Sequence, residues 1–256
     1  MSELVDLETY GEGIGNATAV IRNNAARAGL NAPVPTCPGW TVTDLLAHQG
    51  MVHRWAAAMI RGVALPADFD RRTEAEGRRS GDLLDWVDDG MVSLLNALAP
   101  GAQRADLTFF LPGAATPLAG WARRECHETT IHALDAMSAC LGRAPRADEL
   151  WFSSALAVDG IDELLIGFLP GPRTRLRYRR PARITVSPSD RPEGWTVLTG
   201  PEHATASRGV ADDADLVVGG TARQLYAALW NRGDEISVEG DEELLAAYRA
   251  LMRIAW

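Results

Sequence analysis

The sequence of 256 residues contains no lysine, so its 25 basic side chains are all arginines, and 34 acidic residues give a formal net charge of −9. A nucleic-acid partner needs a net basic surface, and this acidic balance argues against one. No stretch approaches the roughly 18 apolar residues of a membrane span, so we expect no membrane partner. The three cysteines are too few and too scattered for a disulfide framework.

The cysteine usage and the first residues also predict a compartment. An odd number of cysteines fits a reducing cytosol. The opening MSELVDLETYGEGIG is acidic and lacks the apolar run of a signal peptide. We therefore expect a cytoplasmic protein, a monomer or dimer, whose partners are small molecules.

The first half of the sequence has the pattern of a helical bundle. Apolar residues recur at helical spacing in four segments, residues 3–28, 45–62, 82–98 and 118–142. Thr41 is a good N-cap for the second helix, and Ser80 or Asp82 for the third. Residues 63–79 are polar and contain proline, which predicts a loop. We expect an up-down four-helix bundle over residues 1–143.

The second half of the sequence differs in composition and in hydrophobic pattern. After one more predicted helix at 147–168, short runs rich in Val, Ile, Thr and Tyr predict strands: RLRYRR, ARITVSP, GWTVLT, ADLVVGG and EISVEG. TARQLYAALWNRG and DEELLAAYRALMRI predict helices. The fold class is therefore α+β, with a small α+β domain over residues 144–256.

The segment CHETTIHALDA at 126–136 concentrates side chains that bind metals. Glu128 and His132 stand four residues apart, within about 40° of each other on one helix face, whereas His127 points about 140° away from His132. A carboxylate and an imidazole on adjacent turns can hold one divalent ion. A surface Glu–His pair is the commoner explanation of this spacing, and a metal site needs a third ligand from another helix.

The second predicted helix offers two histidines on different faces. His48 lies among Leu45 and Leu46, on or beside the buried stripe, where an imidazole needs a partner. A core histidine bonded to a backbone carbonyl also fits this pattern. His53 is next to Arg54 and is predicted to lie at the surface or rim.

Three separated blocks of the sequence resemble the mycothiol-dependent maleylpyruvate isomerase family, which belongs to the DinB-like, metal-binding four-helix bundles. The blocks are PVPTCPGWTVTDLLAHQGMVHRWAAA (33–58), WARRECHETTIHALDA (121–136) and ADLVVGGTARQLYAALWNRGDEISVEGDEELL (214–245). The likeness spans nearly the whole chain. It implies a DinB-like bundle followed by a small C-terminal domain.

The resemblance implies a metal site. The family's His, Glu and His ligands fall on His48, Glu128 and His132, with zinc as the usual ion and water or the thiol of mycothiol in the open position. Asp135 matches the family's aspartate and is expected to orient an imidazole, although a helix-surface aspartate fits the spacing nearly as well. Arg124 is expected to pair with Glu128 one turn away.

The resemblance also implies an activity. A metal-bound thiol loses its proton at neutral pH, so mycothiol would attack a small electrophile as a thiolate. Addition to a conjugated double bond, rotation and expulsion of the thiolate would make an isomerase, and retention of the thiolate a transferase. The motif does not choose between them. The alternative from another class is a non-catalytic metal- or ligand-binding or regulatory protein on the same fold.

Other residues receive narrower interpretations. Arg232 matches an arginine of the family's C-terminal domain and is predicted to bind an anionic group of substrate or thiol. An interaction with the C-terminal end of its helix is the competing interpretation. Cys37 is interpreted as structural and Trp40 as a core anchor, and no cysteine is assigned a catalytic role.

Overall fold

The computed structural model describes residues 5–171 and 176–252. These residues form two compact units. The first comprises Asp6–Phe110 and Ala114–Pro145, and the second the described residues from Arg146 onward with Val5 and Leu111–Gly113. The first unit is built from helices and the second from a mixed sheet with helices, which confirms the predicted α+β class.

Five helices make up the first unit: α1 Leu7–Ala28, α2 Val42–Arg61, α3 Phe69–Arg79, α4 Leu83–Leu98 and α5 Pro117–Leu141. The predicted N-cap Thr41 begins α2 through a capping box with Asp44, and Asp82 caps α4. Ser80 instead ends α3. Gly142 ends α5 in the left-handed conformation, with φ at 71°.

The four long helices form the predicted bundle, with an order of neighbours that differs from the order along the chain. α1 packs mainly on α5, and α2 mainly on α4, with further contacts between α2 and α5 and between α1 and α4. Among the described residues, consecutive helices α1 and α2 therefore lie across the diagonal. The long connections 29–41 and 99–116 allow this arrangement. The core contains Ile14, Ile21, Leu45, Leu46, Ile60, Leu94 and Leu134.

Helix α3 corrects the prediction of a loop over residues 63–79. Its sequence FDRRTEAEGRR is polar on nearly every side, and only Thr73 and Gly77 are buried. Hydrophobic periodicity therefore gave no signal, because a helix lying on the outside of a bundle needs only a narrow contact stripe. The helix is supported by an ion pair from Arg78 to Glu74, one turn apart.

The predicted helix at 147–168 is interrupted in the second unit. A short 3-10 turn, Ala147–Glu149, precedes α6 (Ser154–Asp162), which is capped by Ser153 and continues as a π-helical segment, Glu163–Phe168. The predicted strand RLRYRR lies partly outside the described residues, and its described part is not a strand. There the backbone N–H of Tyr178 donates to the carbonyl of Gly200 at 2.9 Å, and its hydroxyl donates to Asp241 at 2.8 Å.

The sheet contains five strands in the order β3-β2-β1-β4-β5. They are β1 Ala182–Pro188, β2 Trp195–Thr199, β3 Ala204–Arg208, β4 Leu216–Gly220 and β5 Ser237–Gly240, with α7 Ala222–Leu229 and α8 Glu242–Leu251. β1 and β4 are parallel, and the other neighbouring pairs are antiparallel. β3 was not predicted, because ATASR has too few apolar residues to be distinguished from a turn. None of the helices in residues 5–171 and 176–252 has the length and apolar character to cross a bilayer.

Candidate metal centre

The structure brings the three predicted ligands together inside the helical bundle. His48 comes from α2, and Glu128 and His132 from α5, and one ligand atom of each lies within 4.8 Å of the other two. All three are buried, with exposed fractions of 4–6%. In a zinc site with bonds of about 2.1 Å the ligand atoms stand about 3.4 Å apart, so small side-chain rotations would close this set.

Helix α5 carries the site because its polar side chains point inward. A run of charged, imidazole and hydroxyl groups between Arg124 and Ser138 is buried. Such groups are stable in a protein core only when they have hydrogen-bond or ion-pair partners. Burial of this many in one helix therefore indicates a functional centre rather than a helix with a purely structural role. The predicted geometry of CHETTIHALDA is thus realised on a buried helix, and the surface-pair interpretation is wrong.

Asp135 holds the second imidazole, as the resemblance implied. Its Oδ2 lies 2.9 Å from Nδ1 of His132. The same carboxylate accepts hydrogen bonds from the Thr36 hydroxyl at 2.5 Å and from the Cys37 thiol at 3.2 Å. Cys37 therefore has a structural contact, as predicted, and the contact lies at the edge of the site. These bonds direct Nε2 of His132 toward Glu128, 3.1 Å away.

Glu128 is held as a carboxylate. Burial raises its pKa, but hydrogen bonding to His132, the nearby His48 and the charge of Arg124 lower it well below its usual value. The Nη2 atom of Arg124 is 3.2 Å from Oε2 of Glu128, which confirms the predicted pair one turn apart. Glu128 thus offers an ionised oxygen to the centre of the triad.

The pKa of each imidazole is raised in this metal-free geometry. Burial lowers the pKa of His132, but Asp135 and Glu128 outweigh burial and raise the pKa to about 9. For His48, burial again lowers the pKa, and the carboxylates of Glu128 and Glu74 raise it above its usual value. At neutral pH a bound cation would have to displace the proton of His132.

His48 has an atom that a metal would satisfy. Its Nε2 is buried and finds no hydrogen-bond partner among the described residues. Glu128 Oε1 is 3.8 Å away, too far for a hydrogen bond. A buried nitrogen without a partner, aimed at a carboxylate and a second imidazole, fits a ligand of a divalent ion. Two imidazoles and one carboxylate suit zinc with an open position, and also accept iron, manganese or nickel.

The sequence pattern does not identify two residues that contact the ligands. Glu74 of α3 lies 3.3 Å from Nδ1 of His48. Trp40, interpreted as a core anchor, instead covers both imidazoles, with its ring stacked 5.9 Å from His132 and edge-on 5.0 Å from His48. The signal for Trp40 was its place in the PGWT segment, just before the helix that carries His48.

His53 corrects the prediction of a surface or rim position. It is fully buried, and its Nε2 lies 2.9 Å from the Thr129 hydroxyl and 2.8 Å from Nε2 of Gln49. Burial lowers its pKa to about 3, so it is neutral at physiological pH. His127 is also buried and, as its spacing predicted, is not one of the three converging residues.

Arg232 lies in the second unit, just after α7. It follows Asn231, which has a positive φ of 59°, and its Nη1 donates to the carbonyl of Trp230 at 2.9 Å. This contact is of the kind expected for an arginine at a helix C-terminus. The assignment of Arg232 to a substrate anion stays a prediction.

Models of the two domains of one protein family match the two parts of this chain. The family model described as the mycothiol maleylpyruvate isomerase N-terminal domain matches residues 14–137, and the model of the MDMPI C-terminal domain matches residues 155–247. No match is found among curated proteins.

Two similar solved structures are a crystal structure of the mycothiol-dependent maleylpyruvate isomerase and one of its histidine-to-alanine mutant. Both are 13% identical to this chain and cover 93% of it and 96% of their own length, with TM-scores of 0.60 and 0.61. At this identity the likeness shows a shared fold.

Proposed function

Because this chain belongs to the mycothiol-dependent maleylpyruvate isomerase family, we propose that it is a metal-dependent enzyme that uses mycothiol to act on a small electrophile. The observation that carries the proposal is the buried His48, Glu128 and His132 cluster, whose ligand atoms lie within 4.8 Å of one another. Zinc is the proposed ion. The product is either an isomer of the electrophile or its thioether with the thiol.

The residues of the site have separate tasks in this proposal. When bound, the divalent ion supplies Lewis acidity that keeps a coordinated thiol in its thiolate form at neutral pH. Glu128, kept ionised beside Arg124, supplies the negative charge that balances the cation. His132 and His48 present Nε2 toward the same point. Trp40 covers one side of both rings and limits the access of water to them.

The chain's own cysteines are not proposed as nucleophiles. Cys126 is buried, and its sulphur occupies the space where a side chain on Gly13 would otherwise lie. The Cys37 thiol is already engaged in a hydrogen bond to Asp135. The reacting sulphur is therefore proposed to come from the small thiol.

Metal content tests the site. Purified protein should hold about one equivalent of zinc, and His48→Ala and His132→Ala should hold little. His203→Ala is the matched control, because His203 is exposed and lies in the other unit. Equal metal content in all four proteins would rule out this triad.

Turnover tests the activity. The zinc-loaded protein is mixed with mycothiol and a panel of electrophiles that includes maleylpyruvate, and product is followed with and without thiol. Thiol-dependent product that His132→Ala fails to form supports the proposal. Absence of turnover with every electrophile, despite bound metal and thiol, would instead favour the non-catalytic binding protein.

A further inference from the structure

Glu74 contacts the edge of His48 that faces away from the triad. Its Oε1 is 3.3 Å from Nδ1, whereas Nε2 of the same ring points to Glu128 and His132. Since the two ring nitrogens lie on different edges of the imidazole, Glu74 is not placed to join the three ligands. It can accept a hydrogen bond from Nδ1–H, which leaves the lone pair on Nε2 for a metal.

Glu74 is itself held in place by a chain of ion pairs. Its Oε2 accepts from Nη2 of Arg78 at 3.2 Å, and Nη1 of Arg78 donates to Asp44 at 2.9 Å. Asp44 in turn accepts from the backbone N–H of Thr41 at 2.8 Å, in the capping box that begins α2. The chain therefore links α3 to the first turn of the helix that carries His48.

The packing of α3 explains how Glu74 reaches the ring. The indole of Trp86, from α4, lies against Gly50 of α2 and Gly77 of α3, and a β-carbon on Gly77 would lie 2.7 Å from its Nε1. Only glycine at both positions lets the indole fit between these backbones. This close approach places Glu74, one turn before Gly77, over His48.

We propose that Glu74 is a positioning residue for the metal centre, which fixes the tautomer and orientation of His48. The proposal rests on the proposed function, in which His48 is a ligand. With Glu74 in this role, both imidazoles of the site have a carboxylate at Nδ1. The carboxylate is Asp135 for His132 and Glu74 for His48. Carboxylates in this position raise the basicity of a ligand and hold its ring.

Two variants and a matched control test this role. Glu74→Ala removes the acceptor, and Glu74→Gln keeps an acceptor oxygen without the charge. Glu76→Ala and Glu76→Gln make the same changes two residues away on the exposed side of α3. Zinc affinity is measured on the full chain by competition with a chromophoric chelator. In the metal-free protein, at alkaline pH where the ring is neutral, nitrogen-15 NMR of the His48 ring reports which nitrogen carries the proton.

We expect Glu74→Ala to weaken zinc binding about 10- to 100-fold and to remove the preference for a proton on Nδ1, with Glu74→Gln in between. The Glu76 variants should match the unmodified protein. Equal zinc affinity and equal ring-nitrogen shifts in the Glu74 and Glu76 variants would overturn the proposal. Helical circular dichroism checks folding, and if Glu74→Ala does not fold, Glu74→Gln carries the test.

The two readouts separate failure of this inference from failure of the proposed function. If the unmodified protein binds no zinc, the proposed metal-dependent function fails. The NMR comparison in the metal-free protein still decides whether Glu74 sets the state of His48, and a ring unaffected by Glu74→Ala would overturn that role by itself.

Discussion

The Oδ2 atom of Asp135 lies 2.9 Å from Nδ1 of His132, one turn earlier on the same helix, and Asp135 has no exposed surface. A buried carboxylate in this position determines which nitrogen of the ring faces the triad. The relationship is local in sequence, yet its acceptor is held by Thr36 from a distant loop.

Replacing Asp135 with Asn should weaken zinc binding about 10- to 100-fold, because the amide has no charge and only one acceptor oxygen where the carboxylate serves both His132 and Thr36. The measurement is chelator competition on the full chain. Asp70→Asn, an exposed change on α3, is the control and should leave affinity unaltered. An Asp135→Asn protein that binds zinc as tightly as the control would show that Asp135 does not position His132.

Zinc affinity should rise with pH. In the metal-free protein His132 has a pKa of about 9, so near pH 7 a metal must displace its proton. Affinity should therefore increase about tenfold per pH unit for each proton displaced, and level off above about pH 9. Titrations between pH 6.5 and 9.5, in buffers of different ionisation enthalpy, measure both affinity and proton release. A flat profile with no proton release would contradict the protonated state of His132.

His53 should make the fold sensitive to acid. Its folded pKa is about 3, and the unfolded side chain has a pKa of about 6.5, so below pH 6.5 the unfolded chain takes a proton that the folded protein does not. Stability is then lost as pH falls, by about 1.4 kcal/mol per unit, or about 2 kcal/mol by pH 5. Urea unfolding at pH 7 and 5 should show this loss shrinking in His53→Gln but not in His203→Gln. Equal losses in both variants would mean that another group is responsible.

Gly77→Ala should destabilise the protein by about 1–3 kcal/mol, since the new β-carbon would lie 2.7 Å from Nε1 of Trp86. Zinc affinity should fall with it, because α3 carries Glu74 away from His48. Gly15→Ala on α1 is the matched control, with nothing within 4 Å of its new β-carbon, and should be neutral or stabilising by about 0.5–1 kcal/mol. Urea unfolding and chelator competition measure both effects. Two variants of equal stability would show that the indole moves without difficulty.

Arg232→Ala should lower kcat/KM of the thiol-dependent reaction while leaving metal content unchanged, if Arg232 binds an anionic group. Steady-state kinetics beside elemental analysis make the test, with Arg179→Ala as the exposed control in the same unit. Unchanged kinetics would remove Arg232 from the site. Loss of both metal and folding would make it structural, through its bond to the Trp230 carbonyl.

Several features follow from sequence because they depend on neighbours within a few residues. The four-residue spacing of Arg124, Glu128 and His132 places them on one helix face, and the structure shows both contacts. Thr41 begins α2 through a bond to a backbone group three residues away.

Other features did not follow, because their signal is not periodic. Helix α3 has almost no apolar residues, so its position over His48 could not be inferred from FDRRTEAEGRR. The neighbouring Arg54 predicts a rim position for His53, but the guanidinium of Arg54 lies over the Trp86 ring and the imidazole points inward to Thr129.

The four long helices, the change to a sheet domain and the ligand pair on α5 can all be predicted from the amino-acid order, since each depends on local spacing and capping. The family resemblance also indicated His48, whereas only the folded structure shows that Glu74 from α3, and Trp40 and Thr36 from the loop before α2, complete the site. These contacts depend on how the helices pack against one another. That packing is set where the Trp86 indole of α4 lies against Gly50 of α2 and Gly77 of α3, three residues that are far apart in the sequence.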